Sequence, residues 1–208
     1  MSTPLQGSLL DGFGDVEIGS LTPTRRTELG DGAWVDLRPA WLGGTDQLFA
    51  DLAARVPWQA ERRPMYDRVV DVPRLLAFYG EDDELPDPCL ARARDALGAH
   101  YRDELGEPFR TAGLCYYRDG RDSVAWHGDT IGRGATHDTM VAIVSVGAPR
   151  ALLLRPRGGG TSVRYTVGHG DLLVMGGSCQ RSWEHAVPKT RRPAGPRISI
   201  QFRPRGVR

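Results

Sequence analysis

TMVAIVSVGAPRALLLRPRGGGTSVRYTVGHGDLLVM, Thr139 to Met175, is the stretch that decides how this chain folds. It contains four apolar or alternating runs, TMVAIVSV, RALLLRP, SVRYTV and DLLVM, separated by glycine and proline. Short runs rich in Val, Ile, Leu and Tyr and bounded by turn formers are strands. The same texture continues on both sides, with LCYYR and SVAWH after Gly113 and SWEHAV and RISIQFR further on. Eight short strands with tight turns predict a sandwich, barrel or jelly roll, with function in the mouth of the β core.

Closer to the N-terminus the pattern is mixed. Ala33–Leu37 (AWVDL) reads as a strand, and a helix is predicted from Asp46 to Val56. Thr45 is its expected N-cap, with Leu48, Phe49, Leu52, Ala53 and Val56 on one face. Residues 57–88, rich in Pro, Arg and acid, read as an irregular lid. A second helix is expected from Pro88 to Tyr101, where Cys89, Ala93, Leu97 and Tyr101 recur every four residues. The predicted class is α+β, a single domain over 1–208 with an N-terminal extension (1–60), the lid and a β core (112–204).

At 208 residues and 22.8 kDa the chain suffices for one sizeable core. Three cysteines without a CxxC spacing argue against a disulfide framework or a structural zinc site, so a reducing compartment is expected. MSTPLQGSLLDGFGDVEIGS has neither a basic start nor a long apolar run, and the expectation is a soluble, cytoplasmic protein without a membrane partner. Charge is divided unevenly: residues 1–149 carry 15 Arg against 24 Asp and Glu, and residues 150–208 carry 12 Lys and Arg against 2. A polyanion-facing surface and two halves pairing within one fold both account for that split. GFGDVEIG and RGGG lack the spacing or the Lys-Ser/Thr partner of a phosphate loop.

The tripeptide HGD occurs twice, at His127–Asp129 and His169–Asp171. In extended chain, residues i and i+2 point to one side, so either copy could offer imidazole and carboxylate to one ion. The second is hemmed in by Gly168 and Gly170 and runs at once into an apolar strand, which reads as a turn. The first leaves a strand for a polar loop, where a metal pair and a chance occurrence both remain open. A third ligand would complete the two-His, one-carboxylate face of non-haem Fe(II), and His185 is the best placed candidate. His100 and His137 read as surface or packing residues. On RISIQFR, alternation puts Arg197, Ser199, Gln201 and Arg203 on one face. Two inward arginines need anions, and a dicarboxylate such as 2-oxoglutarate supplies two; an edge strand with solvated arginines is the other reading.

Taken together, LCYYRDGRDSVAWHGD, GHGDLLVMGGSCQRSWEHAVPK, GPRISIQFR and, upstream, VPRLLAFYGE resemble the AlkB family of Fe(II)/2-oxoglutarate dioxygenases. Members repair alkylated nucleic acid bases by oxidative demethylation, on a double-stranded β-helix (jelly-roll) core with flanking helices and an N-terminal nucleotide-recognition lid. The resemblance covers about Pro64 to Pro204. It implies Fe(II) on His127, Asp129 and His185, and O2 as the second substrate. It further implies 2-oxoglutarate held by Tyr117, Arg197, Ser199 and Arg203, with Arg197 on the distal carboxylate. Tyr66, Phe78, Tyr79 and Trp126 become candidates to grip an alkylated DNA or RNA base, single-stranded or flipped, together with Trp183. Arg181 matches a family arginine on the substrate side. The chain is expected to act as a monomer.

Three departures stand out. Cys115 and Ser199 occupy positions where the family usually has asparagine, which implies weaker 2-oxoglutarate binding. TIGRG follows Asp129 where an acidic residue is common, and EDDELPDPCL replaces an aromatic hairpin. The acidic run Glu81–Glu84 would repel a phosphate backbone if it lined the groove. Two alternatives therefore accompany the demethylase reading: an oxygenase acting on a protein or small molecule, and a non-catalytic module binding 2-oxoglutarate or DNA.

Overall fold

The computed structural model describes residues 16–65 and 68–207. The chain runs through β1 (Glu17–Ile18), β2 (Arg25–Gly30), β3 (Ala33–Arg38), β4 (Leu42–Gly43) and helix α1 (Thr45–Arg55). A long hairpin follows, β5 (Gln59–Met65) and β6 (Arg68–Tyr79), and then helices α2 (Pro88–His100) and α3 (Arg102–Leu105). Next come β7 (Thr111–Tyr117), β8 (Val124–His127), β9 (Val141–Gly147), β10 (Arg150–Pro156), β11 (Val163–Val167) and β12 (Asp171–Gly177). The single turn α4 (Cys179–Ser182), β13 (Trp183–Val187) and β14 (Arg197–Arg203) complete the chain. Each of the eight runs read as strands after Gly113 forms one.

Eight strands in the order β2-β3-β12-β9-β14-β7-β6-β5 make the major sheet and β11-β10-β13-β8 the minor one. Their pairings are antiparallel throughout. Strand β14 lies at the middle of the major sheet, between β9 and β7. Its period of two divides the molecule. Ile198, Ile200 and Phe202 face the helices and are fully buried with Leu48, Leu52, Leu90 and Leu97. Burying one such side chain contributes about 1.5–3 kcal/mol. The opposite face of β14 looks into the space between the sheets, closed by Val35, Ile143, Leu154 and Leu173. This is the jelly-roll arrangement.

The helices fall where their stripes predicted. Leu48, Leu52 and Val56 on α1 and Cys89, Ala93, Leu97 and Tyr101 on and beside α2 are buried. Asp87 caps α2, accepting from the Cys89 amide at 2.8 Å ahead of Pro88. Thr45, the expected cap of α1, is instead its first residue and makes no capping bond. The cap is Gly44, which enters the helix from φ 64, a left-handed conformation open to glycine. The Tyr101 hydroxyl donates to buried Asp36 at 2.9 Å, and Arg26 grips both oxygens of that carboxylate at 2.8 Å, pinning α2 to β3.

Residues 57–88 are more regular than their composition predicted. Leu75–Tyr79 of β6 pairs with Ala112–Tyr116 and extends the major sheet. Pro73 lies across from the register shift between Ala60 and Arg62, where no ladder bond is required of it. Among the acids that follow, Glu81 is taken up by Arg205 and Arg110, and Asp83 accepts from the Gly80 amide at 2.6 Å. No helix among the described residues is long and apolar enough to cross a membrane.

Candidate metal centre and its cavity

Strand β8 ends on His127, which lies directly opposite His185 of β13. A register shift in that pair sets Val187 against Val124, so three residues on β8 span two on β13. That bulge turns both Val124 and His127 inward. Two residues on, Asp129 is buried, its amide donating to Gln180 Oε1 at 3.1 Å and its Oδ2 accepting from Arg203 Nε at 2.6 Å. The two imidazole rings are 4.2 Å apart and His127 Nε2 is 3.9 Å from Asp129 Oδ1. One ligand atom from each of His127, Asp129 and His185 fits within 4.8 Å of the others.

Protonation also suits metal binding. His127 Nδ1 lies 2.8 Å from the Ala125 carbonyl, to which it donates, and this turns Nε2 toward the carboxylate. Burial, helped by the charge of His127, pulls the His185 pKa down to about 3, so the ring is neutral. Burial opposes ionisation of Asp129, but the charges of Arg203, His185 and His127 outweigh it and bring the pKa to about 2. Two imidazoles and a carboxylate form a donor set for a borderline divalent ion.

Gly128 has a packing reason. A Cβ there would stand 2.5 Å from the Gln180 carbonyl and 3.1 Å from that of Trp183, so the backbone of α4 and β13 packs directly on the ligand loop. The second HGD serves a turn between β11 and β12. Asp171 accepts from the amides of Gly168 and Ala40 at 2.7 and 2.9 Å, and His169 Nδ1 accepts from Gly147 N at 2.7 Å. His169 faces Asp46 of α1 and lies away from the metal cluster.

From the histidines a narrow cavity runs between the sheets. Tyr117, Arg197, Ser199 and Arg203 all line it, as do Cys115 and Gln201. Arg197 is 2% exposed, its Nε donates to Ser145 Oγ at 2.8 Å, and its guanidinium lies 5.4 Å from the Tyr117 ring. Burial lowers the Arg197 pKa and raises that of Tyr117. Gln201 Nε2 donates to Ser199 Oγ at 2.6 Å, and the Cys115 thiol lies 3.7 Å from Gln201 Oε1. Gln201 thus contacts both Ser199 and Cys115.

The substrate-side expectations fare unevenly. Phe78 stands opposite Gly113 on the cavity face of β6, 47% exposed, and Arg203 Nη1 lies over that glycine. Tyr79, one residue on, takes the other face and packs into the helix-side core, so it does not reach the cavity. Trp126 points outward because its neighbour His127 points inward; Arg155, paired with Glu184, stacks over its ring at 4.2 Å. Arg181 is exposed, outside the cavity lining, and held by Asp138 at 2.7 Å. Trp183 packs against the core between the sheets. Tyr66 lies outside the described residues. Reading 57–88 as irregular hid Arg74, which lines the cavity and shares its face with Phe78 by simple alternation. Ile131, two residues after Asp129 in the chain, is 71% exposed.

Residues 81–203 match the family model of the 2OG-Fe(II) oxygenase superfamily. The bovine alpha-ketoglutarate-dependent dioxygenase alkB homolog 3 is 32% identical over 198 residues, covering 84% of this chain and 66% of that protein. The human DNA oxidative demethylase ALKBH2 is 28% identical over 181 residues, covering 76% and 67%. This chain therefore spans about two thirds of the length of both relatives. The solved structure of OsALKBH1 superposes with a TM-score of 0.59 at 15% identity, covering 86% of this chain and all of that one, which speaks for the fold. With its His-Asp-His cluster at the mouth of an arginine-lined jelly roll, the chain belongs to the 2OG-Fe(II) oxygenase superfamily and, within it, to the AlkB family.

Proposed function

We infer that this protein is an Fe(II)- and 2-oxoglutarate-dependent oxygenase that demethylates N-alkylated bases of DNA or RNA. The observation that carries the reading is one cavity with the His127, Asp129 and His185 cluster at its mouth and Arg197 and Arg203 along its wall. His127 Nε2, His185 and the Asp129 carboxylate hold the metal, with Arg203 fixing the carboxylate's orientation. Arg197, steadied by Ser145, holds the far carboxylate of 2-oxoglutarate beside Tyr117, while Arg203 and Ser199 attend the rest. Bound there, the metal and cosubstrate supply the oxidation. Oxygen converts 2-oxoglutarate to succinate and carbon dioxide and hydroxylates an N-methyl group, which then leaves as formaldehyde.

The chain's own contribution is placement and exclusion of water, through the apolar wall of Val141, Ile143 and Leu152. A base reaches this mouth only single-stranded or flipped from its stack, and the apolar surfaces of Phe78 and Ile131 suit its faces. The names of the relatives, a DNA oxidative demethylase among them, support the substrate class. The β core acts as the catalytic part and the β5–β6 hairpin as the substrate-facing lid, in a single chain. Three unpaired thiols suit a reducing compartment such as the cytoplasm.

The test is oxygen-dependent succinate and formaldehyde release, with and without oligonucleotides bearing 1-methyladenine, 3-methylcytosine or 3-methylthymine. Stimulation by a methylated strand, abolished in His127→Ala and retained in His169→Ala, is the expected result. Succinate production indifferent to every strand would move the substrate outside nucleic acids.

A further inference from the structure

Strand β8 is the edge of the minor sheet, so the ligand loop that leaves it is paired through β13 on one side and has no strand of that sheet on the other. The residues that follow β14 come to this loop. Strand β14 ends where the Arg203 carbonyl accepts from the Arg110 amide at 2.7 Å, and Pro204, having no amide hydrogen, cannot continue the ladder. Arg205 is tied to Glu81. Gly206, at φ 71, turns the chain onto the loop: its carbonyl accepts from the Arg133 amide at 2.9 Å, and Val207 makes an antiparallel bridge with Gly132. Val207 is 2% exposed and belongs to the core between the sheets.

This contact accounts for the TIGRG that follows Asp129. A Cβ on Gly132 would be driven into the Gly206 carbonyl, and one on Gly134 into the Asp129 carbonyl, with Val207 beside it. Backbone therefore packs on backbone from Val207 to the carbonyl of the metal ligand itself. Arg203 grips the Asp129 carboxylate and Gln180 its amide, and the chain just beyond the ligand is bonded to Gly206.

We propose that Gly206 and Val207 are positioning residues of the metal centre, a strap that seats the loop at 130–135 so that Asp129 faces His127 and His185 before an ion arrives. This rests on the metal reading of that cluster. A ligand held in place beforehand does not have to be ordered by the ion, and the holding is done by groups that never touch it. Removing such an outer support typically weakens metal binding by roughly tenfold to a hundredfold.

The experiment compares Co(II) affinity, read by absorbance, in wild type, Val207→Ala, Arg133→Ala and Arg133→Pro. The Tm of each metal-free protein fixes a temperature at which all are folded, and hydrogen exchange of the metal-free proteins over residues 130–136 runs alongside. Arg133 is the first residue of a single 3-10 turn, Arg133–Ala135, where proline fits. Both variants there lose the ion pair with Glu107, and only Arg133→Pro also loses the amide that Gly206 accepts. Val207→Ala is expected to weaken Co(II) binding about tenfold and to speed exchange in the loop, and Arg133→Pro to bind about tenfold more weakly than Arg133→Ala. An affinity within threefold of wild type in Val207→Ala overturns the proposal whatever happens to Tm, and makes the residue a core filler. Affinities of Arg133→Pro and Arg133→Ala within threefold of each other overturn the part given to Gly206. If wild type takes up no Co(II), the metal reading falls, and loop exchange in Val207→Ala against wild type then decides on its own whether the strap seats the loop.

Discussion

Replacing Arg197 by methionine should stabilise the ligand-free protein while weakening its hold on 2-oxoglutarate. Arg197 is 2% exposed, and the titratable groups acting on it are Tyr117, Cys115 and Arg150, with no carboxylate among them. Removing an uncompensated buried charge in favour of an apolar chain of similar length is commonly neutral or stabilising by about 1–4 kcal/mol. The bond to Ser145 and the face of Tyr117 offset part of the penalty in the wild type, so the lower half of that range applies here. For a chain of this length each kcal/mol moves Tm by roughly 2–4 °C. Binding changes in the opposite sense. Loss of the charged partner of a buried carboxylate costs roughly 2–5 kcal/mol, or about thirtyfold to several-thousand-fold in Kd. Thermal unfolding of Mn(II)-loaded protein across a 2-oxoglutarate titration reads both effects, with calorimetry as a check on Kd. A ligand-free variant that melts lower than wild type would refute the uncompensated charge, and an unchanged Kd would refute the carboxylate role.

Gly128→Ala should weaken metal binding at least tenfold in a Co(II) titration, because its Cβ meets the Gln180 carbonyl at 2.5 Å and the ligand loop must move. Gly170→Ala, at φ +76 and with its Cβ driven into the Leu42 carbonyl, should cost roughly 1–3 kcal/mol of stability yet leave metal affinity alone. His185 has a folded pKa of about 3 against 6.5, so below pH 6.5 the unfolded chain takes up a proton that the folded one refuses. Metal-free stability therefore falls with pH between about 6.5 and 3, by about 1.4 kcal/mol per unit from this group, and His185→Gln should flatten the slope in urea unfolding. Asp36→Asn should lower stability by roughly 1.5–3 kcal/mol through the bonds from Arg26 and Tyr101, with the kcat of the folded fraction unaffected.

Much of the architecture was legible because it rests on local periodicity. Strands after Gly113 alternate or run apolar between glycines, and the faces of α1 and α2 repeat every three or four residues. The same rule put Arg197, Ser199, Gln201 and Arg203 on one side of β14. The hairpin at 59–79 was hidden because its prolines and charges mimic a loop, and its strand character depends on pairing with β7, far along the chain. Tyr79 and Trp126 were misplaced because an aromatic side chain announces burial without saying on which face. For Trp126 the answer depends on the bulge in β8 against β13.

The amino-acid sequence by itself determined which residues share a face, since backbone geometry dictates that within a few positions. It also narrowed the metal pair to a strand end rather than a turn, and the AlkB-like order of its motifs pointed to the third ligand. Tertiary structure alone decided that His127 meets His185 across a ladder, that Arg203 reaches Asp129 74 positions away, and that Arg74 joins them from a hairpin read as loop. Those contacts follow from the register of non-local antiparallel pairing. No local preference specifies that register; it is set by which apolar faces two sheets must bury together.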